Sequence, residues 1–178
     1  MLGPRQVTSK DLIFKKKTVS RGVLFVCLGN ICRSPLAEAI FKDRVQKMGV
    51  DSEFHADSCG TADYHIGQQP DPRTIRVAKK NGIAISHACR QLVREDLKTF
   101  DYVFVMDKHN LKHALGLSGG EHDNKIFKMR HFDPLFKDAD VPDPYYGEDR
   151  DFQEVYDILD RSIIQFLHYL KTGSSESD

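Results

Sequence analysis

A thiol and a guanidinium stand six positions apart in the run VLFVCLGNICRSPLAE, Val23 to Glu38, and a hydroxyl follows at once: Cys27, Arg33, Ser34. A thiol is a strong nucleophile only as the thiolate, and a helix N-terminus with a nearby cation brings a cysteine pKa to roughly 3.5–7.5. A planar guanidinium grips two oxygens of a phosphoryl group while the sulfur approaches phosphorus in line with the leaving group. Amide N–H groups and Arg33 then stabilise charge spreading over the equatorial oxygens, with no metal required. Ser34 is suited to donate to the sulfur and ease its departure from a phosphocysteine. The chemistry these residues fit is nucleophilic phosphoryl transfer. The plainer reading of any one cysteine is a small buried hydrophobe. Of the four cysteines, though, only Cys27 has an arginine six residues on and falls where a strand should meet a helix.

That junction is itself legible. Val23, Leu24, Phe25 and Val26 form a short apolar run, the mark of a strand buried on both faces. Cys27 to Ser34 reads as a tight loop, and Pro35 is expected as the first residue of a helix with Leu36, Ala37, Ala39, Ile40 and Phe41 on its apolar face. Strand, loop and helix N-terminus converge donors on one point, so the amides of Leu28, Gly29, Asn30, Ile31 and Cys32, with Ser34, are candidate oxyanion ligands. Gly29 and Asn30 suit the curl because both tolerate positive φ better than other residues. No GxxxxGK[ST] string is present, so the loop is not of the nucleotide-binding kind.

Downstream, strands and helices alternate. The first helix is expected over 34–48, a strand over 53–58, and a helix from Asp71-Pro72 to Asn81-Gly82 with Ile75, Val77 and Ala78 inward. A helical turn follows near 94–98, then a strand over 101–106, a helix capped by Asp107 through Leu117, and a weak strand over 126–129. Phe152, Val155, Tyr156, Leu159, Ile163, Phe166, Leu167 and Leu170 mark the face of a long amphipathic helix. Right-handed crossovers then give an α/β, three-layer, doubly wound parallel sheet of four strands, flavodoxin-like with order 2-1-3-4. Its site lies at the carboxyl ends of the strands.

The chain has 178 residues, 40% hydrophobic and 29% charged, which suits one domain, expected over 23–171. Residues 1–22, with Lys15 to Lys17 and the apolar triplet Leu12-Ile13-Phe14, read as a disordered extension, and 172–178 as a flexible tail. Zero formal net charge gives no reason to expect nucleic acid or an anionic membrane, and no apolar run approaches a membrane span. Four cysteines without a dense framework fit a reducing compartment, the cytoplasm by default.

An oxygen ester also needs a proton for its leaving group. Asp143-Pro144-Tyr145-Tyr146-Gly147 holds an acid beside two aromatics in a Pro-Gly bounded loop, and a poorly hydrated carboxyl can act as general acid. The alternatives are a polar turn whose tyrosines merely cover the core, or Asp107 as the acid, although a helix cap explains Asp107 better.

VCLGNICRSP followed much later by DPYYG resembles the low-molecular-weight protein tyrosine phosphatase family, over roughly Val23 to Leu170. The resemblance implies an enzyme hydrolysing phosphotyrosine and small aryl phosphates, with Cys27 as nucleophile, Arg33 as phosphate clamp and Asp143 as acid, then base. It implies that Tyr145, Tyr146 and Tyr64 wall a deep slot, and that Asn30 is left-handed and supported by Ser58 and His87. It also implies that Cys32 forms a reversible disulfide with the nucleophile that protects it from over-oxidation. The expected partners are phosphotyrosine proteins, with phosphate, vanadate or similar oxyanions able to occupy the site, and neither cofactor nor metal is expected. Arsenate reductases of the same fold need two later cysteines, and none follows Cys89. Protein-arginine phosphatases carry Thr where this loop has Ile31, whose apolar side chain suits a phenyl ring. A binding module without turnover is the third alternative. Asn81 stands where many eukaryotic members carry His, and 118–123 and 130–141 match the family poorly.

Overall fold

The computed structural model describes residues 19–173. The lysine-rich segment with its apolar triplet, and the tail from 174 on, lie outside the described residues. Four strands, β1 (Arg21–Cys27), β2 (Phe54–Gly60), β3 (Tyr102–Val105) and β4 (Ile126–Lys128), form one parallel sheet in the order β2-β1-β3-β4. Five helices accompany them: α1 (Arg33–Lys47), α2 (Pro72–Lys80), α3 (Arg94–Thr99), α4 (Lys108–Ser118) and α5 (Asp149–Thr172). The doubly wound, three-layer architecture expected from the alternation is the one observed.

The sheet explains the unbroken apolar run of β1. Val23 and Phe25 face one layer with Phe41, Phe104, Phe152 and Phe166, and Leu24 and Val26 face the other with Leu97, Val103, Val105 and Ala114. Both faces of a central parallel strand are covered, so alternation disappears. Phe104 and Phe166 meet edge to face at 4.7 Å, which seats α5 on the sheet.

Caps set the helix starts near the site. The Asp71 carboxylate accepts from the Arg73 N–H at 2.8 Å, and the Asp107 carboxylate accepts from His109 and Asn110, both at 2.9 Å. Some boundaries differ from expectation. Strand β1 starts at Arg21 and α5 ends at Thr172, so the body takes in residues assigned to both ends. Helix α1 starts at Arg33, which makes Pro35 its third residue, still inside the turn that needs no N–H partner. Helix α5 starts at Asp149 because Asp151 accepts from the Glu148 N–H, a polar turn that apolar periodicity cannot reveal. In α2, Thr74 is buried with Val77 and Ala78 while Ile75 is only half-buried. Single 3-10 turns at Asp51–Glu53, Asp123–Lys125 and Met129–Phe132 have no sequence period to give them away.

One connection bears directly on the site. Buried Asp133 takes the Arg130 guanidinium at 2.7 Å and that of Arg161, on α5, at 2.9 and 3.0 Å. The segment it anchors runs on to Val141, whose N–H donates to the Met106 carbonyl at 2.8 Å just beyond β3. Residues 141–147 are thereby brought beside the carboxyl end of β1.

Candidate active site

Cys27 is the last residue of β1 and is buried, with its sulfur 3.0 Å from the Ser34 hydroxyl in the first turn of α1. The Asn30 N–H donates to the same sulfur at 3.3 Å. Around them the loop's carbonyls are drawn outward. Cys27 and Leu28 accept from the N–H groups of Thr61 and Ala62 at 2.9 Å, Ile31 from that of Asp71 at 2.8 Å, and Asn30 from the Cys89 thiol at 2.8 Å. In trans peptides the next residue's N–H points the opposite way. The amides of Leu28, Gly29, Ile31 and Cys32 therefore turn to the concave side, a nest for an anion.

Asn30 has φ of 58° and is 1% exposed. The Arg90 backbone N–H donates to its Oδ1 at 3.0 Å, which fixes the amide's orientation, and His87 Nε2 donates there at 2.7 Å. Its Nδ2 donates to Ser34 Oγ at 2.8 Å and to Ser58 Oγ at 3.0 Å. All four hydrogen-bonding positions are used, and such saturation holds a left-handed non-glycine residue against its local strain. The Ser58 hydroxyl donates in turn to Glu38 Oε2 at 2.7 Å. Burial alone would raise the Glu38 carboxyl, but hydrogen bonds from His87, Lys42 and Ser58 outweigh it and keep its pKa low.

Arg33 is 2% exposed and triply held. Nη1 donates to Asp107 at 2.8 Å and to the Val141 carbonyl at 3.1 Å, and Nη2 to Asp143 at 3.3 Å. Burial disfavours its charge, but Cys27, Asp143 and Asp107 more than offset this, and its pKa is raised. Asp107 is half-buried, and that burial pushes its carboxyl up. Donation from Asn110, Arg33 and His109 wins, leaving it below the ordinary carboxylate range. Asp107 is thus a helix cap that also holds the guanidinium.

Above the sulfur opens a cavity of about 280 Å3. Its floor is Cys27, Gly29, Cys32 and Arg33, and its walls are Leu28, Ile31, Tyr64, Tyr145, Tyr146 and His65, with Asp143 at the side. Tyr146 is 97% exposed and meets Tyr145 edge-on at 4.9 Å, so it covers no core. The Asp143 side chain is half-exposed and takes the Tyr145 N–H at 3.2 Å. Arg73 pins the far end of this loop, donating to the Gly147 carbonyl at 3.2 Å while stacking on Phe152. Cys32 lines the cavity beside Cys27, and burial, then Asp71 and Cys27, push its thiol up to about 12.

The structure brings together the residues singled out in the sequence: Cys27, Leu28, Gly29, Ile31, Cys32, Arg33, Asp143, Tyr64, Tyr145 and Tyr146 at the cavity, with Asn30, Ser34, Ser58 and His87 behind it. Several others were not anticipated. His65 lies over Gly29, where an added Cβ would come within 3.1 Å of its ring. At Gly60 a Cβ would stand 2.6 Å from the Leu28 carbonyl and 3.1 Å from the Asn30 nitrogen, so β2 must end in glycine for the loop to close on it. The Cys89 thiol holds the Asn30 carbonyl. Among the described residues, Glu38, Asp57 and His87 are the one group of three side chains close enough to share a metal ion, and no helix is long and apolar enough to cross a membrane.

The family profile described as low molecular weight phosphotyrosine protein phosphatase matches residues 22–176. A protein of that name from Schizosaccharomyces pombe is 45% identical over 135 residues, 75% of this chain and 86% of its own. One from Sus scrofa is 41% identical over 156 residues, 86% and 98% of the two chains. The crystal structure of a protein tyrosine phosphatase from Entamoeba histolytica, with Hepes in its active site, superposes with a TM-score of 0.83 at 42% identity, covering 86% of this chain and 99% of that one.

Proposed function

Because this chain belongs to the low molecular weight phosphotyrosine protein phosphatase family, we propose that it hydrolyses aryl phosphate monoesters, phosphotyrosine in proteins first among them, through a phosphocysteine on Cys27 and without a metal. The phosphoryl oxygens take the amides of Leu28, Gly29, Ile31 and Cys32 and the Arg33 guanidinium. Arg33 exchanges its contact with Asp143 for one with the substrate. The Cys27 sulfur forms a bond to phosphorus as the bond to the phenolic oxygen breaks, and protonated Asp143 gives that oxygen its proton. Asp143, now a carboxylate, takes a proton from water as the water's oxygen attacks phosphorus. The sulfur leaves with its electron pair, stabilised by the Ser34 hydroxyl and the Asn30 N–H, and phosphate departs.

The observation that carries this reading is the sulfur's surroundings. The Asn30 N–H donates to Cys27, the Ser34 hydroxyl lies within hydrogen-bond distance of its sulfur, and a buried guanidinium lies at the same cavity floor. A buried structural cysteine needs neither. The aryl preference rests on the walls, because Ile31 with Tyr64, Tyr145 and Tyr146 offers apolar faces to a ring. Glu38 and Asp57 lie behind the loop and not in the cavity, which leaves phosphoguanidine little carboxylate to recognise beyond Asp143. The four cysteines, none in a disulfide among the described residues, suit a reducing compartment such as the cytoplasm.

The test is a leaving-group series. Asp143→Ala is expected to slow turnover of phenyl phosphate about 100-fold, the scale of general acid catalysis, and to slow para-nitrophenyl phosphate much less. Equal losses across the series would remove Asp143 as the acid, and a Cys27→Ser protein as active as the parent would remove the covalent route. Phosphotyrosine, phosphoserine and phosphoarginine peptides compared side by side decide the substrate class.

A further inference from the structure

The pocket does not use every reactive cluster in the molecule. Behind the loop, on the far side of Asn30, His87 meets two carboxylates. Its Nε2 must carry a hydrogen, because it donates to an Asn30 Oδ1 whose identity the Arg90 N–H fixes. The other ring nitrogen, Nδ1, then faces Glu38 Oε2 at 3.1 Å and Asp57 Oδ1 at 4.0 Å. Glu38 Oε2 already accepts the Ser58 proton, so lone pairs would confront one another unless a positive charge lies between them. A proton on Nδ1 meets that demand. So does a metal ion.

We propose that Glu38, Asp57 and His87 form a Zn2+ site, and that its occupancy lowers phosphatase activity from outside the substrate cavity. One imidazole nitrogen and two carboxylate oxygens, with room left for water, are a ligand set Zn2+ accepts. The three ligand atoms already lie within 4.8 Å of one another. Tetrahedral bonds of 2.0–2.2 Å call for separations of about 3.4 Å, so Glu38 and His87 need little movement. Asp57 has to swing in, and it is the most exposed of the three. A groove of about 310 Å3 between α1 and residues 82–87, lined by Glu38, Lys42, Gln46, Ser86 and His87, gives access from solvent. The bonds from Nε2 to Asn30 and from Ser58 to Glu38 are the outer hydrogen bonds that orient metal ligands elsewhere.

The charges facing His87 are Glu38 and Asp57. Lys42 sits on the other oxygen of Glu38, and Arg90, itself shared with Asp96, on the other oxygen of Asp57. Drawing His87 toward the ion pulls on Asn30, the residue that holds the loop's left-handed turn. The amide nest changes shape although nothing has entered it.

The experiment uses the full chain. Para-nitrophenyl phosphate turnover is measured against buffered free Zn2+, with varied substrate, for the parent and for Asp57→Asn, and Zn2+-soaked crystals of the parent are examined by anomalous diffraction. Expected are inhibition that saturating substrate does not relieve, an unchanged basal rate in Asp57→Asn with at least about 10-fold weaker Zn2+ inhibition, and an anomalous peak between His87 Nδ1 and the two carboxylates. Competitive inhibition of equal strength in both proteins, or a peak only at the Cys27 sulfur, would overturn the site, as would no peak at all. The diffraction result stands without the variant and without the assignment of Cys27 as nucleophile, so failure here and failure of the proposed function are separable.

Discussion

Asp107→Asn separates the two carboxylates that touch Arg33. Asn caps a helix about as well as Asp, so the bonds to His109 and Asn110 survive and the melting temperature should hardly move. What goes is the charge opposite Arg33 Nη1, 2.8 Å away with both side chains largely buried. A hydrogen bond between charged groups contributes about 1.5–3 kcal/mol. Arg33 keeps the Val141 carbonyl and the half-exposed Asp143, and exposed pairs contribute little. At about 1.4 kcal/mol per tenfold, kcat/KM for aryl phosphates should fall about ten- to hundredfold. Inhibition by inorganic phosphate should weaken in step, because the clamp serves bound phosphate and transition state alike.

The leaving-group dependence is the finer readout. Asp107 is held ionised by its donors and has no proton to give near neutral pH, so its loss should lower good and poor leaving groups by one factor. Asp107→Ala should add about 1 kcal/mol of destabilisation from the lost cap with the same kinetic pattern. Unchanged kcat/KM in Asp107→Asn would refute the clamp geometry. A steepened leaving-group dependence would refute more, since it would make Asp107 the proton donor and Asp143 a turn residue.

Other perturbations probe other parts of the scaffold. Gly60→Ala puts a methyl 2.6 Å from the Leu28 carbonyl and should cost about 1–3 kcal/mol; activity should fall at least as far as stability implies, and a fully active variant would mean that the loop is not pressed on β2. Peroxide-treated enzyme should recover activity with a thiol reductant, and Cys32→Ala should not. Because the Cys32 thiol is pushed up to about 12, disulfide closure followed by mass spectrometry should accelerate with rising pH, and a flat profile would exclude Cys32 as the attacking thiol. Asp133 has a folded pKa of about 2, depressed from 3.8 by Arg161, the Leu135 N–H and Arg130 against the cost of burial. Its stabilisation is therefore complete above pH 4 and disappears as pH falls toward 2. Asp133→Asn should lower the melting temperature at pH 7 and flatten its loss between pH 4 and 2, and a parallel acid profile would rule this pair out as a source of acid lability.

The parts of the site that were legible are those in which one short stretch carries both structure and chemistry. Val23 to Phe41 encodes strand, loop and helix in local signals, and Asp143 to Gly147 is a turn whose residue types are unusual together. The supports were hidden because each is assembled from distant segments. Glu38 reads as an ordinary helical carboxylate, four residues before Lys42. It is buried because Ser58 of β2 and His87 close over it, and nothing within one turn of α1 reports that. His65 and Cys89 lie in connections with no period, and their value is a contact with Gly29 or Asn30 that exists only in three dimensions. Gly60 lies two residues past the strand expected over 53–58, and its necessity appears only when the loop is laid against it.

Exposure divides the site in a way that matches the two jobs of phosphoryl transfer. Cys27, Asn30, Ser34 and Arg33 are buried, and each is held by more than one bond to elements that cannot move independently. A phosphoryl group is nearly the same object in every substrate, so its cradle gains from rigidity. Asp143 is half-exposed and sits on a loop fixed at its two ends, through Val141 to Met106 and through Gly147 to Arg73, with the carboxylate between them held by longer bonds from Arg33 and the Tyr145 N–H. Leaving groups differ from one phosphoprotein to the next, and a proton donor with some freedom can meet them all. The exposed tyrosines beside it extend that tolerance, since an aromatic wall binds a ring without specifying what is attached to it. The same division explains why the buried half couples to a cluster such as Glu38, Asp57 and His87: a rigid cradle transmits a displacement at its back, whereas a loose acid loop would absorb it.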